Sequence, residues 1–124
     1  MNSKVFMILR ILLGIFVLVF GLNKFLHFIP DFPLEGDAAS YFGALINSKT
    51  LTLVAIVEIV AGLALITNKF GALLALILMS ISVNAVLFHA TLDPANIAGA
   101  LVLLVLNIVV LFGYKDKYRD LLAG

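Results

Sequence analysis

Four long apolar runs, separated by polar segments, are the dominant pattern of this chain. They cover approximately residues 5–28, 51–67, 70–89 and 95–113. Each run is close to the roughly 20 residues that an α-helix needs to cross the hydrocarbon core of a bilayer. The links after the second and third runs are short, which favours antiparallel neighbours. The pattern therefore predicts an all-α integral membrane protein, a four-helix antiparallel bundle that forms a single four-span domain over residues 1–124.

The polar segment between the first two runs, residues 29–49, is long enough to hold structure of its own. Pro30 and Pro33 predict that the first helix ends before them, and Asp37 is predicted to cap a short helix that follows. The apolar face of that helix would consist of Ala38, Tyr41, Phe42, Leu45 and Ile46. Because this helix is too short to span, we predict that it lies on the membrane surface as a lid over the mouth of the bundle. An irregular loop is the alternative.

The remaining boundaries also have local signals. Asp93-Pro94 predicts a cap and a first-turn proline for the fourth spanning helix, and residues 114–124 are predicted to form a charged, soluble tail. The basic residues of the first run are also typical of a signal peptide, but no cleavage motif of small residues follows and three more apolar runs do. We therefore expect the first run to be a spanning helix.

Composition and charge narrow the class further. Of all residues, 64% are apolar and 12% are charged, and the mean hydropathy is +1.22, whereas a soluble domain has about 25% charged residues. A soluble body of 124 residues could not cover so much apolar surface. The net charge of +1, without a basic block, argues against nucleic acid as a partner. The absence of cysteine excludes disulfides and thiol redox chemistry within this chain.

The lysines and arginines predict the orientation, because positive residues are concentrated in the cytoplasmic segments of membrane proteins. With both termini in the cytoplasm, only Lys24 and Lys49 lie near the opposite surface. The basic residues on the cytoplasmic side would be Lys4, Arg10, Lys69, Lys115, Lys117 and Arg119. We therefore predict a multi-pass protein with both termini cytoplasmic.

Polar side chains are concentrated in the outer half of the predicted bundle. Asn23, Lys24 and His27 lean to one side of the first helix, and a rise of 1.5 Å per residue places Glu58 about 10–12 Å below the same surface. A lone charge in hydrocarbon is costly, so such groups should face one another or a wet cavity. We predict one ligand-binding or proton-donating site, with Glu58 as the opposite charge to Lys24 and the loop helix as its roof. The candidate residues are Asn23, Lys24, His27, Glu58, Asn84 and His89.

Each candidate also has a structural interpretation, which the sequence leaves open. Glu58 could fix the order of the helices as a protonated, hydrogen-bonded group, and Lys24 could anchor its helix at the membrane surface. Asn84 and Asn107 could be interhelical hydrogen-bond donors. The two histidines could be interfacial residues with no further role.

The histidines also raise the question of a metal. His27 and His89 have similar depth on different helices, so they could share a haem iron or join Asp93 or Asp31 in a metal site. Both histidines lie near the membrane surface, and the sequence shows no partners that would orient them as metal ligands through hydrogen bonds. We therefore predict no metal site. No phosphate-binding loop, nucleophile–base pair or zinc signature indicates an enzyme either.

Small residues mark the expected helix packing. Arg10, Gly14 and Gly21 recur at helical spacing in the first run, and the two glycines would allow another helix to approach closely. Gly62 in the second run is predicted to be a structural residue. Arg10 lies nearer the inner surface, and we predict that its side chain extends to the cytoplasmic surface.

The polar and small residues occur in a defined order along the chain. They comprise Arg10-Ile-Leu-Leu-Gly14 and Gly21-Leu-Asn-Lys24-Phe in the first run, Gly36-Asp-Ala-Ala and Tyr41-Phe42 in the proline-containing loop, Glu58 and Gly62 in the second run, Asn84-Ala-Val-Leu-Phe88-His89 in the third, and Leu92-Asp93-Pro94 in the link. In order and spacing this pattern resembles the DoxX family of small four-helix bacterial membrane proteins, over nearly the whole chain. The positions that match the family motif are Arg10, Lys24, Glu58, Asn84 and His89.

The resemblance implies a protein of the bacterial cytoplasmic membrane that is associated with oxidoreductase systems. The family takes its name from a subunit of an archaeal quinone-reducing complex that oxidises thiosulfate, and some bacterial members are linked to membrane complexes that handle thiol oxidative stress. A quinone is therefore a possible carrier, with Glu58, His27 and Lys24 as proton donors. A partner would supply the electrons and any thiol chemistry.

Three functions remain open at this point. The first is a component of a membrane oxidoreductase system with an intramembrane site for a quinone or similar lipophilic carrier. The second is a non-catalytic small subunit or assembly partner of a larger membrane complex. The third, a small-solute transporter, is the least favoured because four spans are few and no inverted repeat is visible. The expected partners are the lipid bilayer and other membrane-protein subunits, or further copies of the chain.

Overall fold

A computed structural model describes residues 1–29 and 34–123 of the chain. In these ranges the regular elements are α1 (Ser3–Leu26), α2 (Gly36–Asn47), α3 (Thr50–Thr67), α4 (Gly71–Leu92), a 3₁₀ turn (Pro94–Asn96), α5 (Ile97–Gly113), a second 3₁₀ turn (Lys115–Tyr118) and α6 (Arg119–Leu122). No strand occurs in the described part of the chain. The all-α prediction is confirmed.

Four of the described segments are long and apolar enough to cross a membrane. They are α1, α3, α4 and the continuous segment Pro94–Gly113. The chain is thus an all-α membrane bundle, as predicted, and the helix boundaries differ from the predicted ones by at most three residues. The largest differences are at the end of α4, which reaches Leu92 rather than residue 89.

The spanning helices form a ring in which α3 packs on α1 and α4, and α5 completes it between α4 and α1. One end of the bundle, which we name the α2 end, holds the last turn of α1, the first turn of α3 and the link between α4 and α5. The largest fully buried side chains are those of Leu13, Val17, Leu65, Leu78, Ser82, Asn107 and Val110.

Left-handed backbone positions flank several of the described helix ends. α1 ends because His27 has φ 53°, and its N–H donates to Asn23 O at 2.8 Å. Pro30 and Pro33, which were predicted to stop this helix, lie outside the described residues. Lys49 before α3 has φ 67°, also in the left-handed region.

The short helix α2 is present, but its start differs from the prediction. Glu35 is the N-terminal cap position and Asp37 lies in the first turn, so the prediction of Asp37 as the cap is wrong. Tyr41 and Phe42 pack on Phe88 of α4, with ring centroids 5.2 and 5.5 Å apart. These aromatic contacts fix α2 against the bundle, which excludes the alternative of an irregular loop.

Close packing of α1 on α3 depends on glycine. A Cβ added at Gly14 would lie 2.8 Å from Ile66 Cγ1 and 3.0 Å from Gly62 O. A Cβ added at Gly21 would lie 3.0 Å from Glu58 Cβ. The glycines that were predicted to allow a close approach therefore lie at the contact between these two helices.

α4 and α5 are joined by a buried polar contact. Ser82 Oγ donates to Asn107 Oδ1 at 2.7 Å, and Asn107 Nδ2 donates to Ala75 O at 3.0 Å. Both side chains are fully buried. The interhelical hydrogen bond that the sequence suggested for Asn107 is thus present in the structure.

Replacing Asn107 with leucine should destabilise the bundle by about 1–2 kcal/mol, because the Ser82 hydroxyl loses its interhelical acceptor. The measurement is the free energy of unfolding in mixed micelles of a mild and a denaturing detergent. Thr67→Leu is the matched control, because Thr67 is exposed and its hydroxyl donates to Leu63 O of its own helix, α3. Equal losses in the two variants would contradict the interhelical role of Asn107.

The segment after α5 is not the soluble tail that was predicted. Tyr114 packs edge-on against Phe6 of α1, with ring centroids 4.9 Å apart, and its hydroxyl donates to Asn68 Oδ1 at 2.5 Å. Tyr118 donates to Ala72 O at 2.6 Å. Burial raises the pKa of Tyr118 to about 12, so the phenol remains a donor at physiological pH. The charged residues between and beyond the two tyrosines face outward, as do Leu121 and Leu122.

Candidate functional site

The centre of the candidate site is an ion pair between α1 and α3. Lys24 Nζ lies 2.5 Å from Glu58 Oε1. The Glu58 side chain is 5% exposed and that of Lys24 is 23% exposed. Gly21, one turn before Lys24, lets the α3 backbone come close enough for the carboxylate to reach the ammonium. The structure thus joins the two opposite charges that the sequence placed at similar depth.

Burial gives this pair its energetic weight. An ion taken out of water loses hydration that only a close partner of opposite charge replaces, and removal of one partner leaves the other uncompensated. Glu58 is almost fully enclosed, so its carboxylate depends on Lys24. Lys24 is less enclosed, and it is the member of the pair that also faces open space.

That open space is a groove at the α2 end of the bundle. It has a volume of about 180 Å³. Its walls are Lys24, Phe25, His27, Ile46, Lys49, Leu51, Thr52 and Ala55. The groove lies between the end of α1, the end of α2 and the first turn of α3. It combines three basic side chains with apolar walls, which suits the polar head of a lipophilic molecule rather than a whole drug-sized ligand.

The other predicted residues of α1 have different positions. His27 is exposed and contributes to the wall of the groove. Asn23 holds the chain after the helix, because its Oδ1 accepts a hydrogen bond from Ile29 N at 2.7 Å. Asn23 therefore supports the position of His27 and the following residues.

His89 belongs to the link between α4 and α5. Its Nδ1 lies 3.2 Å from Asp93 Oδ2 and 3.3 Å from Asp93 O. Asp93 occupies the cap position before Pro94, but its side chain accepts no hydrogen bond from a backbone N–H of the following turn. Both its carboxylate oxygens instead accept from Asn96 Nδ2 at 3.1 Å. Pro94 occupies the first turn, as predicted. Asp31, the other acidic residue considered as a metal ligand, lies outside the described residues.

Asn84 is not brought to the groove. It is exposed on α4, and its Nδ2 donates to Ser80 O of the same helix at 2.7 Å. Of the six predicted site residues, the structure therefore places Lys24, Glu58 and His27 at the groove or directly beside it. Asn23 supports the loop next to them, and the contacts of His89 and Asn84 lie elsewhere.

Arg10 contradicts its predicted position at the cytoplasmic surface. Its side chain is buried, with 7% of the residue exposed. The guanidinium donates to the carbonyl oxygens of Leu65 and Ile66, the latter at 3.2 Å. These carbonyls belong to the last turn of α3, where no following helical N–H is available to them. The guanidinium is therefore held inside the bundle by the end of α3 and does not extend freely to a surface.

The groove also contains residues that the sequence did not single out. Lys49 and Thr52 lie at the start of α3, and Ile46 lies near the end of α2. Lys49 carried one signal, since it was one of two basic residues expected near that surface. Ile46 was expected only on the apolar face of α2, and nothing in the sequence pattern distinguished Thr52. The convergence of the two residues depends on the turn between α2 and α3.

Comparison with protein-family models matches the chain to DoxX over residues 5–91. The matched region runs from α1 almost to the end of α4 and includes both members of the ion pair. Comparisons with curated proteins and with solved structures found no match. The family match covers more than half of the chain, in a bundle of the expected four spans, and the protein belongs to the DoxX family.

Proposed function

We propose that this DoxX protein is a component of a membrane oxidoreductase system and that its groove holds the head of a quinone or similar lipophilic carrier. The observation that carries the proposal is the position of Lys24. Its ammonium is bound to the buried Glu58 at 2.5 Å, and its side chain also lines the groove. A proton-bearing pair is thus in contact with space that a membrane-soluble molecule could enter.

The chemistry of the pair fits a carrier that gains or loses protons together with electrons. Reduction of a quinone requires protons at its two carbonyl oxygens, and general acids supply them from within hydrogen-bond distance. Lys24 can donate a hydrogen bond to one carbonyl oxygen, and His27 provides a second polar group on the same wall. Phe25 and Leu51 offer apolar contacts for the ring. Electrons would come from a partner protein.

The charge distribution supports an orientation with both termini in the cytoplasm, and the resemblance to bacterial DoxX proteins supports the bacterial cytoplasmic membrane as the location. Six of the eight lysines and arginines lie in the half of the bundle that is farther from α2. In this orientation the groove opens near the outer surface. A carrier would enter it from the lipid at the level of the headgroups.

The first test is the quinone content of the protein purified in a mild detergent. We expect near-stoichiometric isoprenoid quinone per chain, falling about tenfold in Thr52→Phe, since about 1.4 kcal/mol of lost contact suffices for that change. The phenylalanine would occupy the volume of the groove while Lys24 and Glu58 themselves stay unsubstituted. Thr67→Phe is the matched control, because Thr67 is an exposed residue at the other end of the same helix.

The same measurement contains the outcome that would reject the proposal. Background quinone in the wild-type protein, or equal loss in both threonine variants, would leave the ion pair as an internal contact between helices. The chain would then fit the second candidate function, a non-catalytic subunit of a larger membrane complex. A stoichiometric protein partner in the same preparation would support that function.

A further inference from the structure

The outward face of α4 differs from those of the other spanning helices. Away from their ends, the described parts of α1, α3 and α5 expose only apolar or small side chains to the surroundings. α4 exposes Ser80 and Asn84 in the middle of its length. We name this the α4 outer face, and its members are Leu73, Ile77, Ser80, Asn84, Leu87 and Thr91, all exposed.

Asn84 lies well away from both ends of the candidate spanning helix α4. It is eight residues before the end of α4 at Leu92, which corresponds to about 12 Å along the helix. Within the described part of the chain, one amide N–H bonds to Ser80 O, while the other N–H and Oδ1 have no partner. Lipid chains offer neither donors nor acceptors, so these groups gain most from a partner outside the chain.

The α4 outer face also has the spacing of a coiled-coil seam. Its six members follow one another at intervals of four, three, four, three and four residues. This is the alternation of a and d positions in a heptad repeat, and Asn84 occupies an a position. A single asparagine at an a position is a known means of fixing register between two helices. Ser80, one turn away, is small enough to let a second helix approach.

We propose that the α4 outer face binds the α4 outer face of a second copy, in a two-fold symmetric dimer centred on Asn84. The membrane gives both copies the same orientation, so their α4 helices run parallel and identical residues meet across an axis normal to the bilayer. A primary amide carries both a donor and an acceptor. Two Asn84 side chains can therefore bond reciprocally, whereas most single polar groups cannot pair with themselves in this way.

The dimer can be tested by disulfide trapping, since the chain has no cysteine of its own. The probes are Ser80→Cys and Leu87→Cys, which retain Asn84. The matched controls are Val60→Cys on α3 and Val105→Cys on α5, whose valines are 48% and 58% exposed. In dilute liposomes of the purified protein, oxidation should give about tenfold more covalent dimer from the two probes than from the two controls.

A second variant ties the dimer to the amide. Asn84→Leu in the Ser80→Cys chain should reduce trapping about tenfold while the unfolding of the monomer stays unchanged. Equal trapping at all four positions, trapping unaffected by Asn84→Leu, or trapping only to a different protein in native membranes would each overturn the proposal. If Asn84→Leu fails to fold, the contrast between Leu87→Cys and Val105→Cys decides. None of these outcomes depends on the quinone proposal.

Discussion

Replacing Gly62 with leucine is expected to prevent stable packing of α1 on α3. A Cβ at this position would lie 2.7 Å from Leu18 Cβ and 2.8 Å from Gly14 O. Neither atom is the far end of a flexible side chain, so the two helices would have to move apart. We expect a loss of about 3 kcal/mol or more in the free energy of unfolding, because the whole glycine-lined contact is affected.

The control for Gly62→Leu is the same substitution at a glycine of another spanning helix that is not closely packed. A Cβ at Gly99 of α5 would meet nothing within 4 Å. Gly99→Leu should therefore be neutral or stabilising by about 0.5–1 kcal/mol, as leucine is the better helix former. The measurement is unfolding in mixed micelles at matched detergent composition. Similar losses from the two substitutions would show that α1 and α3 do not meet closely at Gly62.

The spans and the ion pair were predictable because the length of an apolar run and the cost of an unpaired charge can both be assessed from the sequence alone. A helix that crosses a bilayer needs a long apolar run, and four such runs are visible without any structural knowledge. A charge in hydrocarbon needs an opposite charge, and Glu58 was the available acidic residue at a suitable depth for Lys24. The stripe of Gly14 and Gly21 similarly indicated a close contact, although not with which helix.

Asn84 illustrates why the structure does not bring every predicted site residue to the groove. The rise per residue gives the depth of a side chain, but its direction around the helix axis depends on which face is packed. α4 is apolar on nearly all sides, so its sequence does not reveal the inward face. Asn84 was therefore expected to face the site although the structure exposes it, while Ser82, two residues earlier, points into the core.

Arg10 and the tyrosines after α5 show a second limit. Their positions depend on acceptors that other helix ends present, namely the last carbonyls of α3 for Arg10 and Asn68 and Ala72 for Tyr114 and Tyr118. Such acceptors appear only once the helices are assembled. The groove has the same origin, because Lys49 and Thr52 reach it through a left-handed turn that no pattern of apolar residues indicates.

Exchange of the charges of Lys24 and Glu58 should separate the structural role of the pair from its proposed role in binding. Lys24→Glu alone would place two carboxylates together, and Glu58→Lys alone would place two ammonium groups together. Each should cost about 3–5 kcal/mol of unfolding free energy, because a buried charge loses its partner. The double variant should recover at least about 2 kcal/mol relative to the sum of the single losses.

Lys49→Glu provides the control for this exchange, since Lys49 is exposed and lines the same groove; its reversal should change stability by less than about 0.5 kcal/mol. Strict additivity of the two single losses would contradict the pairing in the folded protein.

A recovered double variant allows a sharper inference. Its groove would present a carboxylate at position 24 where the native protein presents an ammonium. If it folds but retains no quinone, Lys24 acts on the carrier itself; if it folds and retains quinone at the native level, the ammonium at Lys24 serves the packing of α1 on α3 and not the carrier.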